Sequence, residues 1–524
     1  MTEPRKSLLH VTGLLFVSRG FGWALGFVRE LSIAALFGAS RMVDAFTAAV
    51  FFPLTLFGTA ASVLSTTLIP HFIGLKADFG EEEARRSLRA IQTQLLLITA
   101  TLTALTILFA PQLIRWIAPM FTPEESALAQ RFLRIAMPGV IGGVLFLILQ
   151  NVYQLYDKWT APAISPLLAN VAGLLALFLG AWWFGAEAMA WSWLATMLVV
   201  PLALLFGKIG RSTLRPMLFD RHLAGFYRMA LPMLLAALLG QSVQFINRYL
   251  ASGLPVGELS ALAYAQRTYM MCVELVVATI IPALFPRLSE SAVSCSRDEY
   301  RRLLNKAILG VSFITLLGAT VLAGVTLPVV RLAFERGAFV ATDSIRVASI
   351  LTILCGSLTV FIPLLVLYRA FYAERNTLVP TVVLAGTIAI DVALNFLLIK
   401  PLGTPGLAIA SFTGLALQLI ILTYIAPRFR VELPQRRMLF FFLKGIPFAI
   451  AVAALTRIVV TTIEPVAILL PLAKLWLVLV PSLIAGVVFY FGAKLIRLEG
   501  FTIADGFLRN ALSSIRNRIA MLFS

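Results

Sequence analysis

The run FVRELSIAALFGASRMVDAF, residues 27–46, carries charged side chains inside an otherwise apolar stretch. Mostly apolar sequence continues on both sides of it, from residue 8 to residue 72. A helix needs about 20 such residues to cross a hydrocarbon core of about 30 Å. The run therefore predicts the end of one membrane-spanning helix, which carries Arg29 and Glu30, and the start of a second, which carries Asp44.

The rest of the chain has the same character. Of its 524 residues 60% are apolar and 13% charged, and the mean hydropathy is +0.92. A soluble surface needs more charge than this, so the sequence predicts an all-α polytopic membrane protein. Fourteen spans are predicted, near residues 8–36, 44–72, 90–118, 132–156, 162–184, 188–207, 224–251, 259–285, 307–333, 346–371, 377–399, 405–426, 438–461 and 467–493.

The net charge of +18 reflects topology and does not predict a nucleic-acid partner. Most of the 43 Lys and Arg residues fall in alternate loops, a bias that predicts both termini in the cytoplasm. Residues 501–523 alternate apolar and basic positions at helical spacing, which predicts an amphipathic cytoplasmic tail on the inner leaflet. The sequence contains no GxxxxGK[ST] loop, zinc spacing or catalytic constellation. It therefore predicts a transporter without a resident cofactor, and not an enzyme.

An internal repeat at an offset of about 218 residues divides the chain. LIPHF at 68–72 is echoed by LFPRL at 284–288, and GAEA at 185–188 by PGLA at 405–408. Transporters built from two halves leave such a trace and bind their substrate between the halves. The repeat predicts two pseudo-symmetric lobes of six helices each, followed by two more helices and the tail, with the divisions 1–222, 223–430 and 431–524.

Three arginines inside predicted spans are the candidate ligands of a cargo. Arg19 and Arg29 share the first helix, about 15 Å and about 80° apart, and Arg267 lies in the helix that the repeat matches to the second. A charge at membrane depth costs several kcal/mol, so it normally faces water, an opposite charge or a ligand. Because guanidinium groups favour phosphate, the pattern predicts an anionic cargo. Pairing of Arg29 with Glu30 or Asp44, tying two helices together, is the structural alternative.

Oxygen-bearing side chains gather around the turn PLGTPG, residues 401–406. Asp391 and Asn395 share a helix face, and the next helix offers Ser411 and the Leu407 carbonyl. Such ligands suit a small hard cation such as Na⁺, or Asp391 can carry a proton. A hydrogen bond between the two helices is the structural alternative.

Other polar residues within the spans have two interpretations each. Gln244 and Asn247 line one stripe of the seventh helix, where they can contact cargo or cation, or bond a neighbouring helix. Glu274, two turns beyond Arg267, is either its partner or a separate protonatable site. Three further basic residues are predicted to extend to the lipid headgroups: Arg248, Arg457 and Lys474.

These motifs resemble those of the MurJ (MviN) lipid II flippases. The resemblance begins with LGFVRE at 25–30, LFGA at 36–39 and the DAF that starts at Asp44. Further motifs are YAQR at 264–267, FERGAF at 334–339 and ALNFLLIKPLGTPGLAIA at 393–410. It covers nearly the whole chain and implies the multidrug/oligosaccharidyl-lipid/polysaccharide exporter fold, in which two lobes rock to give alternating access.

The resemblance also implies a function. It is the movement of an undecaprenyl-pyrophosphate-linked glycan, lipid II foremost, across the bacterial cytoplasmic membrane, biased by membrane potential, Na⁺ or H⁺. Cell-wall synthesis enzymes are the implied protein partners. By position, the resemblance implies charged cavity or gate roles for Arg29, Glu30, Asp44 and Arg267, and a sodium site at Asp391, Asn395, Leu407 and Ser411. Placement in the spans adds Arg19 and Gln244 as candidate substrate ligands, Glu274 as a gate or ion-pair residue and Asn247 as a cation ligand.

Three positions depart from the family pattern. Trp23 stands where another first-helix arginine is expected, Met270 where an acidic residue is expected, and residues 53–67 carry no charge where arginines are expected. These departures leave two alternatives open. One is a flippase for an O-antigen or exopolysaccharide repeat unit, and the other is a cation-coupled multidrug antiporter of the same superfamily.

Overall fold

The structure is a computed structural model that describes residues 8–156, 158–205, 216–274, 277, 297–374, 376–467, 472–503 and 505–506. These residues are almost entirely helical, which confirms the predicted fold class. Two compact units divide them by packing, residues 1–260 with 336–339 and residues 261–335 with 340–524. The predicted tail, residues 501–523, lies mostly outside the described part of the chain.

Among its described residues, the first unit contains nine α-helices and the start of a tenth. They are α1 (Leu8–Phe37), α2 (Arg41–Phe79), α3 (Glu81–Leu108), α4 (Ala110–Ile117), α5 (Pro123–Ala136), α6 (Gly139–Leu155), α7 (Thr160–Phe184), α8 (Ala188–Leu205), α9 (Leu223–Ala251) and α10 (258–274). Helix α2 packs on α5, α6 and α9, and the α7–α8 hairpin packs on α1 and α6. Phe132 and Leu133 of α5 are fully buried within this unit.

The second unit contains the rest of α10 and the helices that follow it. They are α11 (Arg297–Gly324), α12 (Thr326–Ala333), α13 (Ala341–Ala373), α14 (Leu378–Leu402), α15 (Thr404–Ile425), α16 (Gln435–Ala467) and α17 (Ala473–Leu495). Helix α13 is its centre, packed on α11 and α15, while α16 and α17 pack on α11.

The predicted spans agree closely with the observed helices. Among the described residues, twelve helical segments are long and apolar enough to cross a membrane. One of them, Thr160–Leu205, contains two predicted spans, and the predicted span 259–285 lies partly outside the described residues. A total of fourteen is consistent with this arrangement.

Among the described residues, two predicted spans end in a short separate helix. The span at 90–118 comprises the C-terminal part of α3 and the short α4, which are separated at Phe109. The span at 307–333 comprises most of α11 and the short α12, which are separated at Val325. Hydropathy cannot reveal such a break, because the residues on both sides of it remain apolar.

Matched local geometry recurs at the repeat offset. Gly185 ends α7 with φ +55°, and Gly403 ends α14 with φ +62°. The backbone N–H of Thr122 donates to Glu125 at 2.9 Å, and that of Val340 donates to Asp343 at 3.2 Å. In each comparison the two matched positions lie 218 residues apart. The structure therefore matches Gly185 to Gly403, whereas the sequence comparison had matched residues 185–188 to residues 405–408.

The packing boundary and the predicted lobe boundary differ. Helix α9 packs with the first unit, whereas the repeat assigns it to the lobe that begins at residue 223. The lobe division rests on internal symmetry and not on packing, so the divisions at 222 and 430 stay predictions.

Two glycines bring the segment 336–339 against the end of α1. Ala338 N–H donates to the Ala35 carbonyl at 2.8 Å. A Cβ on Gly337 would overlap the Ala35 carbonyl oxygen, and one on Gly38 would lie 2.6 Å from the Ala338 oxygen. Both glycines have positive φ, +59° and +66°, a conformation that glycine adopts without steric cost.

We expect Gly337→Ala to destabilise the protein by more than the roughly 1–2 kcal/mol that a left-handed residue costs alone, because the methyl group also meets Ala35. Gly185→Ala is the matched control, since its φ is +55° but open space surrounds its Cβ position. Thermal unfolding of the purified protein in detergent measures both. Equal losses in the two variants would show that the contact with α1 contributes nothing.

Candidate functional site

Arg29 is half-buried on α1, about 12 Å along the helix from Phe37. Its Nη1 donates to Thr196 Oγ1 of α8 at 3.0 Å. This contact fixes one edge of the guanidinium against the α7–α8 hairpin. A hydroxyl is a neutral partner, so Thr196 leaves the positive charge of Arg29 in place. The arrangement can hold an anion.

The other predicted residues of the first helix are described less fully. Arg19 belongs to α1, but its side chain lies outside the described residues, as does that of Trp23. Glu30 is half-buried beside Arg29. The predicted role of Arg19 as a cargo ligand therefore stays a prediction.

Asp44 caps the helix that carries Arg267. Its carboxylate accepts hydrogen bonds from Gly257 N–H and Ser260 N–H, both at 2.7 Å, and the residue is 7% exposed. Helix N-terminal N–H groups lack partners within the helix, and negative charge there is favourable. Within the described residues its contacts are those of a helix cap and not of an ion pair. A role for Asp44 in a gate stays a prediction.

Arg267 and Glu274 interact on α10. Both side chains are exposed on the protein surface, and the Arg267 charge acts on the Glu274 carboxylate. The spacing of seven residues places them two turns apart on one face. The structure therefore supports the reading of Glu274 as an electrostatic partner of Arg267.

The polar stripe of α9 is partly engaged by a neighbouring arginine. Arg248 Nη1 donates to both the backbone and the side-chain oxygen of Gln244, at 3.0 Å each, and its guanidinium lies 4.9 Å from the centre of the Phe51 ring. Arg248 therefore has protein partners on α9 and α2, and its extension to the headgroups stays a prediction. Asn247 is 3% exposed, and its Oδ1 has no partner among the described residues.

The predicted oxygen cluster forms on α14 and α15. Asn395 Nδ2 donates to Asp391 Oδ1 at 3.3 Å, and Ser411 also hydrogen-bonds Asp391. Asn395 is fully buried, and its Oδ1 has no partner within the described residues. Leu407 is buried on the same hairpin. One carboxylate with neutral oxygens around it fits a small hard cation.

The other two basic residues predicted to reach the headgroups, Arg457 and Lys474, also contact protein groups. Arg457 of α16 donates to the Ala323 carbonyl at 3.2–3.3 Å and to Thr352 Oγ1 at 2.8 Å. Lys474 of α17 donates to the Glu335 carbonyl at 3.0 Å and lies 3.5 Å from its carboxylate. Arg457 satisfies a carbonyl at the end of α11, where the chain breaks before α12, so its position has a structural cause.

Comparison with known proteins identifies the family. A family model described as lipid II flippase MurJ matches residues 33–475. The chain belongs to the MurJ lipid II flippase family. The MurJ match begins four residues after Arg29. It includes α2, the polar stripe of α9, Arg267 and the oxygen cluster of α14 and α15.

Relatives of the MurJ family match most of the chain. A probable lipid II flippase MurJ of Rhizobium tropici is 30% identical over 419 residues, which are 77% of each chain. A probable lipid II flippase MurJ of Bdellovibrio bacteriovorus is 27% identical over 472 residues, 87% of this chain and 89% of the relative.

Solved structures show the same fold. A lipid II flippase MurJ in an inward closed conformation aligns with a TM-score of 0.76 at 19% identity, covering 92% of this chain and 99% of that one. An inward-facing multidrug-resistance MATE transporter aligns at 0.63 and 17% identity, covering 77% and 98%. Because both identities are low, these likenesses concern the fold.

Two features of the site escaped the sequence interpretation. Thr196, the partner of Arg29, is 167 positions away in the chain, and a single hydroxyl in an apolar span is too common to draw attention. The contact of FERGAF with the end of α1 also went unforeseen. The glycines of LFGA and FERGAF were the available signal, since each follows a helix of apolar residues.

Proposed function

We propose that this membrane protein is a flippase that moves lipid II from the inner to the outer leaflet of the bacterial cytoplasmic membrane by alternating access. The match of the MurJ family to residues 33–475 is the observation that carries the proposal. It makes the protein a transporter, and the charged residues within the spans suggest where the cargo is held.

Arg19, Arg29 and Arg267 bind the diphosphate of the cargo in this proposal. Charge-assisted bonds from guanidinium groups to phosphate are strong and directional. The neutral contact of Arg29 with Thr196 supports this role, because it orients the side chain without neutralising it. Gln244, which accepts hydrogen bonds from Arg248, contributes a further polar contact to the cargo.

Glu30, Asp44 and Glu274 control the arginines and the gate. Asp44 fixes the start of α10, and Arg267 lies two to three turns further along that helix. Glu274 lies two turns further along the same helix, within electrostatic reach of Arg267. Both termini lie in the cytoplasm, as the distribution of Lys and Arg suggests, and cell-wall synthesis enzymes receive the exported precursor.

The Asp391 cluster binds the coupling cation, with Na⁺ as the first candidate. Asp391, Asn395, Ser411 and the Leu407 carbonyl are the proposed ligands, and the cation role of Asn247 stays a prediction. Among the described residues no group of three or more His, Cys, Asp or Glu side chains forms a metal site. One carboxylate among neutral oxygens suits a weakly held monovalent ion, and a proton on Asp391 is the other candidate.

We expect Na⁺, compared with K⁺ at equal ionic strength, to raise the unfolding temperature of the wild type and not that of Asp391→Asn. A ligand that binds the folded state stabilises it by mass action, and the substitution removes the charged ligand. Thermal unfolding in detergent measures the shift. Asp78→Asn, at an exposed carboxylate, is the control and should retain the response. A wild type that unfolds identically in both salts would exclude Na⁺ binding.

A second candidate cargo is another undecaprenyl-pyrophosphate-linked glycan, such as an O-antigen repeat unit. The uncharged stretch of α2, residues 53–67, favours it, because the MurJ pattern places arginines there and this chain has none. The diphosphate and lipid are common to both cargoes, so the arginines would serve either one.

Rescue of a bacterial strain depleted of its own lipid II flippase tests the cargo. We expect this protein to restore growth and the exposure of lipid II on the outer leaflet, measured by its accessibility to an externally added lipid II-degrading enzyme. Normal membrane abundance without rescue would favour a different glycan. Drug resistance without rescue would favour the antiporter.

A further inference from the structure

A buried hydroxyl on α8 contacts Arg29 from the protein side. Thr196 is 7% exposed, and its Oγ1 accepts from Arg29 Nη1 at 3.0 Å. The same hydroxyl donates to the Ser192 carbonyl at 2.8 Å. A hydroxyl has one proton and two lone pairs. With its proton committed to Ser192, Thr196 faces Arg29 purely as an acceptor.

The α7–α8 hairpin holds this hydroxyl in place. Ser192 Oγ donates to the Gly173 carbonyl at 2.7 Å, and Ser192 is 1% exposed. A Cβ on Gly173 would overlap Thr196 Oγ1, so only glycine allows α8 to approach α7 this closely. Small residues commonly permit such close packing between membrane helices.

Helix α1 is fixed against the same hairpin. Asn170, one turn before Gly173, donates to the Gly22 carbonyl of α1 at 3.2 Å. It also donates to its own helix at Pro166, at 2.9 Å. Gly22 lies about two turns before Arg29. Helix α7 therefore fixes the positions of α1, which carries Arg29, and of α8, which carries Thr196.

We propose that Thr196 is a positioning residue that sets the orientation of the Arg29 guanidinium and thereby the affinity for the diphosphate of the lipid-linked cargo. The role rests on the proposed binding of diphosphate by Arg29. Arg has five N–H donors in a rigid fork. Because the fork is rigid, a Thr196 acceptor that holds one donor also fixes the directions of the others. A carboxylate in the same place would compete with the diphosphate, whereas the hydroxyl orients Arg29 and keeps its charge.

Binding of purified lipid II to the full chain in lipid nanodiscs tests this role. We expect Thr196→Val, which keeps the shape and removes the acceptor, to weaken binding roughly tenfold, as the loss of a hydrogen bond to a charged group does. Thr196→Ser should restore it. Thr320→Val is the matched control, since Thr320 is 3% exposed and donates to Leu316 in the same i−4 pattern but contacts no arginine through that bond. It should bind like the wild type.

A double-mutant cycle separates positioning from a general packing defect. In the Arg29→Ala background, where the other cargo contacts supply residual binding, Thr196→Val should cause no further loss. An equal loss in both backgrounds, or a Thr196→Val protein that binds like Thr320→Val, would overturn the positioning role while leaving diphosphate binding intact. Wild-type binding by Arg29→Ala itself would instead overturn the role of Arg29 in the proposed function.

Discussion

Arg29→Ala is expected to abolish lipid II transport while the protein inserts and folds normally. A guanidinium at membrane depth carries a desolvation cost of several kcal/mol, so its removal relieves the folded protein of an unfavourable group. The hydrogen bond to Thr196 offsets part of that cost. The function lost is charge-assisted contact with phosphate, and without it we expect transport to fall by about 100-fold or more.

The comparison with Arg457→Ala makes this expectation specific. Arg457 is also a basic residue within a membrane-spanning helix, but it donates to the Ala323 carbonyl and to Thr352. Its removal should lower the unfolding temperature and leave lipid II binding unchanged. Arg29→Ala should show the reverse pattern, and Arg267→Ala should follow Arg29→Ala. Membrane abundance, thermal unfolding and lipid II exposure in the depleted strain measure the three effects.

Full transport by both Arg29→Ala and Arg267→Ala would reject diphosphate binding by these arginines. Loss of transport together with loss of membrane abundance would show that Arg29 is structural, as in its predicted alternative of tying helices together. The two signatures differ in the unfolding temperature, so the experiment decides between them.

Much of the fold could be predicted because bilayer thickness fixes the length of an apolar span. Helices α7 and α14 therefore begin and end near the predicted positions. The breaks at Phe109 and Val325 could not be predicted, since the apolar composition continues through them. Near the break at Val325, Arg457 donates to the carbonyl of Ala323, 134 positions away, and sequence spacing carries no sign of such a pair.

The sequence predicted the residue types of the candidate site better than it predicted the contacts that those residues make. Asp391 and Asn395 were expected to meet because they lie four positions apart on one helix, and they do. Asp44 was expected to act through its charge on another side chain. It instead accepts from backbone N–H groups more than 200 positions away. Backbone donors are present at every residue, so no sequence pattern distinguishes the two that Asp44 meets.

Asp44→Ala is expected to lower both stability and transport. The substitution removes the two acceptors that satisfy Gly257 N–H and Ser260 N–H. Loss of a helix cap costs about 1 kcal/mol, and a buried donor left unsatisfied costs about 1–3 kcal/mol. We therefore expect a loss of about 2 kcal/mol or more. Asp44→Asn keeps one acceptor and should lose less.

Transport should fall further than this instability alone explains, because the cap defines where α10 begins and Arg267 is carried on that helix. Thr122→Ala is the matched control: Thr122 caps α5 through Glu125 N–H at 3.3 Å, on a helix without a predicted cargo residue. It should cost similar or less stability and leave transport unchanged. Hydrogen exchange at residues 257–262 reports the cap directly, and unchanged protection there in Asp44→Ala would contradict it. Faster exchange with full transport would confine Asp44 to a structural role, because α10 would then present Arg267 correctly without its cap.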